Sequence, residues 1–185
     1  MNMSHTLVLI KPDAVKRGLI GRIITRFEDA GLRVSAMQLF SPPDRCHILK
    51  HYESTDSWLF NVGKKTLEDY AAAGLTLEEV KRDYHGVTEE LDIGHVVKQR
   101  LVDYLTHDAV VAMVVEGNMA VEKVRLLVGF TIPAKAAPGT IRGDFGYDSA
   151  VNAASHGRSI ENLVHASDCE ESARREIELW FGNEC

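Results

Sequence analysis

Cysteine is scarce in this chain: Cys46, Cys169 and Cys185 are three in 185 residues, and no C-x-x-C spacing links them. That odd count supports neither a disulfide framework nor a zinc site and fits a reducing compartment. Long apolar runs are missing too. A membrane-spanning helix needs roughly 18 or more consecutive apolar residues, and none occurs; the first apolar stretch, Leu7-Val8-Leu9-Ile10, is too short for a secretory core plus cleavage site. The expected location is cytoplasmic, with no membrane partner. Basic runs stop at pairs, and with a net charge of −6 and a pI near 5.7 the chain lacks the footprint of a nucleic-acid-binding protein. Any anion site must be local. Nor is there a G-x-x-x-x-G-K-S/T pattern, so a phosphate site here is not a P-loop.

What is present is 45% hydrophobic residues, ample for a core, in a length that fits one domain over 1–185. His5 to Ile10 reads as a buried first strand, broken by Lys11-Pro12-Asp13 because proline cannot donate to a ladder. Ile20, Ile23, Ile24, Phe27 and Ala30 follow helical spacing, with Gly31 as the stop. Leu32 to Phe40 alternates as a second strand, Asp44 to Tyr52 looks helical, and Trp58 to Ala73 predicts a helix ending at Gly74. Residues from about 66 to 96 are mostly polar and acidic and read as a helical insertion without assignable chemistry. Val97, Leu101, Tyr104 and Leu105 then restore a helical stripe. Ala109 to Glu116 is apolar on both faces and predicts a central strand, followed by a helix capped by Asn118 and running to about Val128. Phe130 to Glu161 reads as a long structureless connection, a kind that is usually functional. A last strand and helix end near Phe181. Four strands split by helices match the β-α-β-β-α-β plan: an α+β, ferredoxin-like α/β sandwich with helices on one face of a four-stranded antiparallel sheet.

Asn162 to Cys169 carries the strongest chemical signal. Ser167-x-x-Glu170 and Asp168-x-x-Glu171 are overlapping capping boxes, which puts His165 at a strand-to-helix turn. Helix N-termini favour anions and imidazole can act as a nucleophile, so a histidine there could accept a phosphoryl group. Ala173, Ile177, Trp180 and Phe181 mark the buried stripe of the helix, and Glu176 beside it can lean back to orient the imidazole. Lys11, at a strand end beside a rigid turn, is placed to meet a phosphate. His47 and His51, four apart, could put two metal ligands on one helix face. With no third ligand nearby and Lys50 adjacent, that face reads as solvated.

In order along the chain stand Lys11-Pro12-Asp13, Arg17-Gly18-Leu19, Val110-Val111-Ala112-Met113, Pro138-Gly139-Thr140-Ile141-Arg142-Gly143-Asp144-Phe145 and Asn162-x-x-His165-x-Ser167-Asp168. The set closely resembles nucleoside diphosphate kinase over residues 5–65 and 98–182. The resemblance implies a ping-pong kinase that passes the γ-phosphate of ATP to nucleoside diphosphates through a phosphohistidine on His165, at Nδ1. It implies that Lys11, Arg125, Thr131 and Arg142 hold phosphates and that Asn162 meets the sugar or phosphate edge. Tyr52 would reach the phosphohistidine, Glu176 and Ser167 would orient His165, and Phe60 would stack on the base with weak base selectivity. Mg²⁺ is implied through the nucleotide phosphates, near Asp168, as is a homo-oligomer, a tetramer or hexamer built from dimers.

The sequence departs from the family pattern at Ala166 for glycine, Cys169 for serine, apolar Phe130 and Ile132, and Glu161 where an arginine is usual, Arg158 being the nearest replacement. A non-catalytic nucleotide-binding or regulatory module of the same fold is the competing reading, and an RNA-binding platform a third; the intact Lys11, Arg125, Arg142, Asn162, His165 set speaks against the first and the acidic balance against the second.

Overall fold

The computed structural model describes residues 3–52 and 55–182; Cys185 lies outside them. Strand β1 (Met3–Ile10) runs straight into α1 (Pro12–Lys16) and α2 (Ile20–Asp29). The expected turn at Lys11-Pro12-Asp13 is thus a helix start, with Pro12 in the first turn, where its missing N–H is not needed. β2 (Arg33–Phe40) is followed by α3 (Arg45–His51), α4 (Asp56–Ala72), α5 (Leu77–Asp83) and α6 (Glu90–Thr106). Next come β3 (Val110–Asn118), α7 (Ala120–Val128), a 3-10 turn (Pro133–Lys135), α8 (Ile141–Phe145), α9 (Ala150–Ser155), β4 (Val164–Ala166) and α10 (Glu170–Phe181).

The sheet has the order β2-β3-β1-β4 with every pair antiparallel, the topology expected of the β-α-β-β-α-β plan. Its helices, however, cover both faces. Val8 and Ile10 of β1 join Met113 of β3 in a core with Ile23 and Phe27 of α2 and Val124 of α7, whereas Leu7 and Leu9 pack with Ile48 of α3, Val102 of α6 and Trp180 of α10. Side chains alternate along a strand, so a central strand apolar at every position needs a hydrophobic partner on each side. The edge strand β2 is different: Met37 and Leu39 are 57% and 61% exposed.

The segment expected as an insertion builds a third core of its own, from Tyr70, Val80, Tyr84 and Ile93, with Ala154 of α9 packed into it. α4 and α6 cross with backbones almost in contact: a Cβ on Gly94 would sit 2.1 Å from the Leu59 carbonyl oxygen, and one on Gly63 1.7 Å from that of Glu90. In an ordinary helix Gly→Ala adds about 1 kcal/mol of stability. Gly94→Ala should instead cost about 3 kcal/mol in a denaturant titration, because the obstructing atoms are main chain and cannot turn aside.

The long connection before β4 is likewise not structureless. Besides the 3-10 turn, α8 and α9, it is pinned by buried Asp148, which pairs with Arg158 at 2.6 Å and accepts the Glu161 N–H. Lys135 ties it to Asp69 of α4 at 2.8 Å.

Candidate active site

β4 lies beside β1, with His165 opposite Leu9. Val164 and Ala166 pack into the α2–α7 core, so alternation turns His165 to the other face, toward α3 and α10. There its Nε2 meets Glu176 Oε2 at 2.9 Å, and the same oxygen accepts the Ser167 hydroxyl at 2.7 Å. A carboxylate already accepting from a hydroxyl takes a proton from the imidazole as well, so Nε2 carries the hydrogen and Nδ1 the lone pair. Ser167 is fully buried and also receives the Leu7 N–H, while Glu176 is 4% exposed. Ser167 and Asp168, read as capping boxes, do not cap α10; its N-cap is Cys169, whose sulfur accepts from the Ser172 N–H.

The approach to His165 is a strained turn. Val164 N–H donates to the Asn162 carbonyl across Leu163, a γ-turn whose central residue has φ +69°. Three residues hold it. Asp13 accepts the Leu163 N–H at 3.2 Å, the Lys11 N–H donates to the Leu163 carbonyl at 2.8 Å, and Arg142 donates to the carbonyls of Asn162, Val164 and Gly129 at 3.1, 2.7 and 3.0 Å. Tyr104 donates its hydroxyl to the other Asp13 oxygen.

Asn162 bridges. Its Oδ1 accepts from Lys11 Nζ at 2.7 Å and its Nδ2 donates to the Thr131 carbonyl at 3.0 Å, so the lysine fixes which end of the amide is oxygen. Burial, and then the nearby Arg142, lower the Lys11 pKa to about 7. Arg142 is itself brought down to about 10 by burial and then by Arg125, which stands in the last turn of α7. Burial, then Glu176, raises the Tyr52 hydroxyl, so it stays protonated.

His47 and His51, expected on a solvated face, are 8% and 3% exposed. The reason is tertiary: α10 packs on α3, and Trp180 donates its indole N–H to His51 Nδ1 at 3.2 Å. The His51 ring stands edge-on to His165 with centroids 4.5 Å apart. One donor atom each from His51, His165 and Glu176 lie within 4.8 Å of one another. Because Trp180 fills Nδ1, the neutral His51 ring presents Nε2–H, a donor and not a metal ligand. Burial, then His165, holds its pKa well below the usual histidine value.

A cavity of about 660 Å³ opens beside these groups, lined by His165, Glu176, Tyr52, Asn162, Thr131 and Asp168 among others. Lys11, Arg125 and Arg142, expected to hold phosphates, do not line it; Lys11 and Arg142 stand behind Asn162 and its turn, to which they bond. Phe60, expected to stack on a base, is 44% exposed and outside the lining; Trp58 and Tyr84 line it instead. Arg158, expected to stand in for a missing arginine, lines the cavity but is engaged by Asp148. His51 and Arg175 line it and were not foreseen.

A nucleoside diphosphate kinase family profile matches residues 4–67 and 75–185. The chain belongs to the nucleoside diphosphate kinase family. It is 45% identical over all of its length to a nucleoside diphosphate kinase of Pyrobaculum aerophilum, of which the match covers 98%. A crystal structure of an NDP kinase from that organism superposes with a TM-score of 0.90 at 43% identity, covering 97% of this chain and 96% of that one. A transition-state mimic of the nucleoside-diphosphate kinase from Borrelia burgdorferi, with bound vanadate and ADP, matches at TM-score 0.73 and 34% identity, over 98% and 88% of the two chains. The protein is accordingly a nucleotide-binding phosphotransferase of this family. Among the described residues no helix is long and apolar enough to cross a membrane.

Proposed function

We propose that this cavity exchanges phosphoryl groups between nucleotides through His165. The observation that carries the reading is the Glu176 contact at Nε2, which leaves Nδ1 with the lone pair. That lone pair attacks the γ-phosphorus of ATP; a P–N bond forms, the P–O bond to ADP breaks, and ADP leaves with the electron pair. The positive charge on the phosphorylated ring is balanced by Glu176 across the Nε2–H. A second diphosphate then attacks phosphorus through a terminal oxygen and restores the free imidazole, so one site serves both half-reactions.

The chain's part is positioning and charge. A guanidinium has five N–H groups; with three of Arg142's on main-chain carbonyls, two remain for phosphate oxygens. Lys11 and Arg125 supply further positive charge, Thr131 a hydroxyl, Tyr52 a protonated phenol near the transferred group, and Asn162 one free N–H. A divalent cation fits through oxygen donors. Asp168 is exposed and cavity-lining, and a hydrogen bond from Ser172 above all holds its carboxyl ionised, as hard Mg²⁺ requires. Bound with the nucleotide, Mg²⁺ supplies neutralisation of phosphate charge. We read the whole chain as one kinase domain elaborated at about 66–96 and 130–161. We place it in the cytoplasm as a homo-oligomer of dimers, with the exposed Met37 and Leu39 of β2 as the surface to be covered.

Brief exposure to γ-labelled ATP should give an acid-labile, base-stable phosphoprotein that any nucleoside diphosphate discharges. A chain that takes up no label, or label that diphosphates cannot remove, would overturn the reading.

The Lys11 pKa near 7 gives a second expectation. A phosphate anion beside the ammonium raises that pKa, so nucleotide binding should take up close to one proton at pH 8 and almost none at pH 6. Calorimetry in buffers of different ionisation enthalpy measures this, and Lys11→Met should abolish the uptake. In the free protein the unfolded lysine binds its proton up to about pH 10.5, so stability from this group rises with pH between about 7 and 10.5 and is lowest below that window.

A further inference from the structure

Both oxygens of the buried Asp13 carboxylate are engaged, by groups far apart in the chain. One accepts the Leu163 N–H at 3.2 Å, inside the γ-turn that precedes His165. The other accepts the hydroxyl of Tyr104, in the last turn of α6. Burial, and then Asp13, raise the Tyr104 hydroxyl above its ordinary pKa, so it stays protonated and donates to a carboxylate that only accepts. The ring itself packs on the core formed by Val102, Leu105 and Leu9, and Lys11 Nζ stands 5.7 Å from its centroid. α6 belongs to two cores: Ile93, near its start, packs with Tyr70, Val80 and Tyr84 in the elaborated segment, whereas Val102 and Leu105 pack on the sheet. The end of that one helix therefore reaches the turn that carries His165.

We infer that Tyr104 is a positioning residue for phosphoryl transfer: its hydroxyl fixes the Asp13 carboxylate across the Leu163 N–H, so that α6 sets the turn from which His165 presents Nδ1. The inference rests on His165 being the phosphoryl carrier. The terminal torsion of an aspartate is broad, and a single hydrogen bond leaves it free to turn; a second bond, from Tyr104, locks it. Leu163 needs that lock. Its φ of +69° is unfavourable for any residue but glycine and persists only where the surroundings over-determine it. With the N–H released, Leu163 would keep only the bond from the Lys11 N–H to its carbonyl. Neither Tyr104 nor Asp13 lines the cavity, so both act on the reaction through the turn and not on the nucleotide. A nucleophile misplaced by about 1 Å loses on the order of a hundredfold in rate.

Tyr104→Phe keeps the ring and its packing and removes the hydroxyl alone. Phosphoenzyme formation at saturating γ-labelled ATP should slow about ten- to a hundredfold, while the ATP concentration for half the maximal rate stays within about twofold. In native-state hydrogen exchange the Leu163 amide should exchange at least about tenfold faster, with the amides of Val102 and Val114 unchanged. A hydroxyl with a structural part only would reduce the fraction of chain that labels and leave the labelling rate and the Leu163 amide where they were. That result overturns the inference, as does a shift in half-saturation at an unchanged rate. Asp13→Asn turns one acceptor into a donor, so only one of the two bonds survives, and it should slow labelling to a similar extent. Adding Tyr104→Phe to it should cost no more than about a further twofold; losses that multiply refute the coupling. If Tyr104→Phe does not fold, an unchanged labelling rate in Asp13→Asn still refutes the inference and a slowed one with a faster Leu163 amide supports it. A wild type that takes up no label counts against His165 as carrier, whereas the Leu163 exchange decides whether Tyr104 holds the turn.

Discussion

His165→Ala is expected to take up no label from γ-labelled ATP and to lower phosphorylation of nucleoside diphosphates by at least about 10⁴-fold, with stability changed by less than about 1 kcal/mol. The catalytic loss is large because no neighbour can replace the nucleophile. His51 is the only other imidazole in ring contact with His165 among the described residues, and Trp180 donates to its Nδ1, so its remaining nitrogen carries a hydrogen and offers no lone pair. The change in stability is small because the His165 side chain is 20% exposed and Glu176 keeps the Ser167 hydroxyl after the ring is gone. Phosphoenzyme assays and a denaturant titration on the same preparation separate the two effects. Label retained by the variant rejects His165 as the carrier, and a loss of several kcal/mol would recast it as a packing residue.

What could be read from the chain divides according to range. β1, α2, β2, β3 and α10 are written in local periodicity, and the block around Asn162 and His165 is local as well. Glu176 could be placed because its seven-residue distance from Cys169 fixes it on a helix face that leans back. His51 could not: four residues from His47, it has the spacing of a solvated pair until α10 lays Trp180 over it. Cys169 took the cap from Ser167 because Ser167 is drawn inward by Leu7 and Glu176, and those partners are distant in sequence or reached only through the fold. The acidic 66–96 segment looked featureless for a related reason. Its core draws one or two buried residues from each of three helices plus Ala154, too few in any one of them to mark a stripe within 66–96. Phe60 was placed by counting from Tyr52, and spacing alone does not say whether that ring faces the cavity or stands, as here, outside its lining.

Arg142→Ala should lose both functions of that side chain at once: about 3–5 kcal/mol of stability and at least about 10²-fold in turnover beyond what partial unfolding explains. The stability term follows from the three carbonyls it ties together, two of which, on Asn162 and Val164, flank the γ-turn at Leu163. A left-handed, fully buried leucine persists only when its surroundings outweigh a strain of about 1–3 kcal/mol, and Asp13 and Lys11 are then left to hold it without the fork. Turnover falls because the same turn sets the position of His165, two residues on, and because the two N–H groups proposed for phosphate are lost with it. Arg142→Lys is the discriminating variant. It keeps the charge but satisfies one carbonyl at best, so it should recover little of either loss. If lysine restored turnover to near the wild-type rate, positive charge alone would be the requirement and the forked clamp on the turn would have no part in catalysis. Denaturant titrations and initial rates at saturating nucleotide, taken together on both variants, distinguish these outcomes.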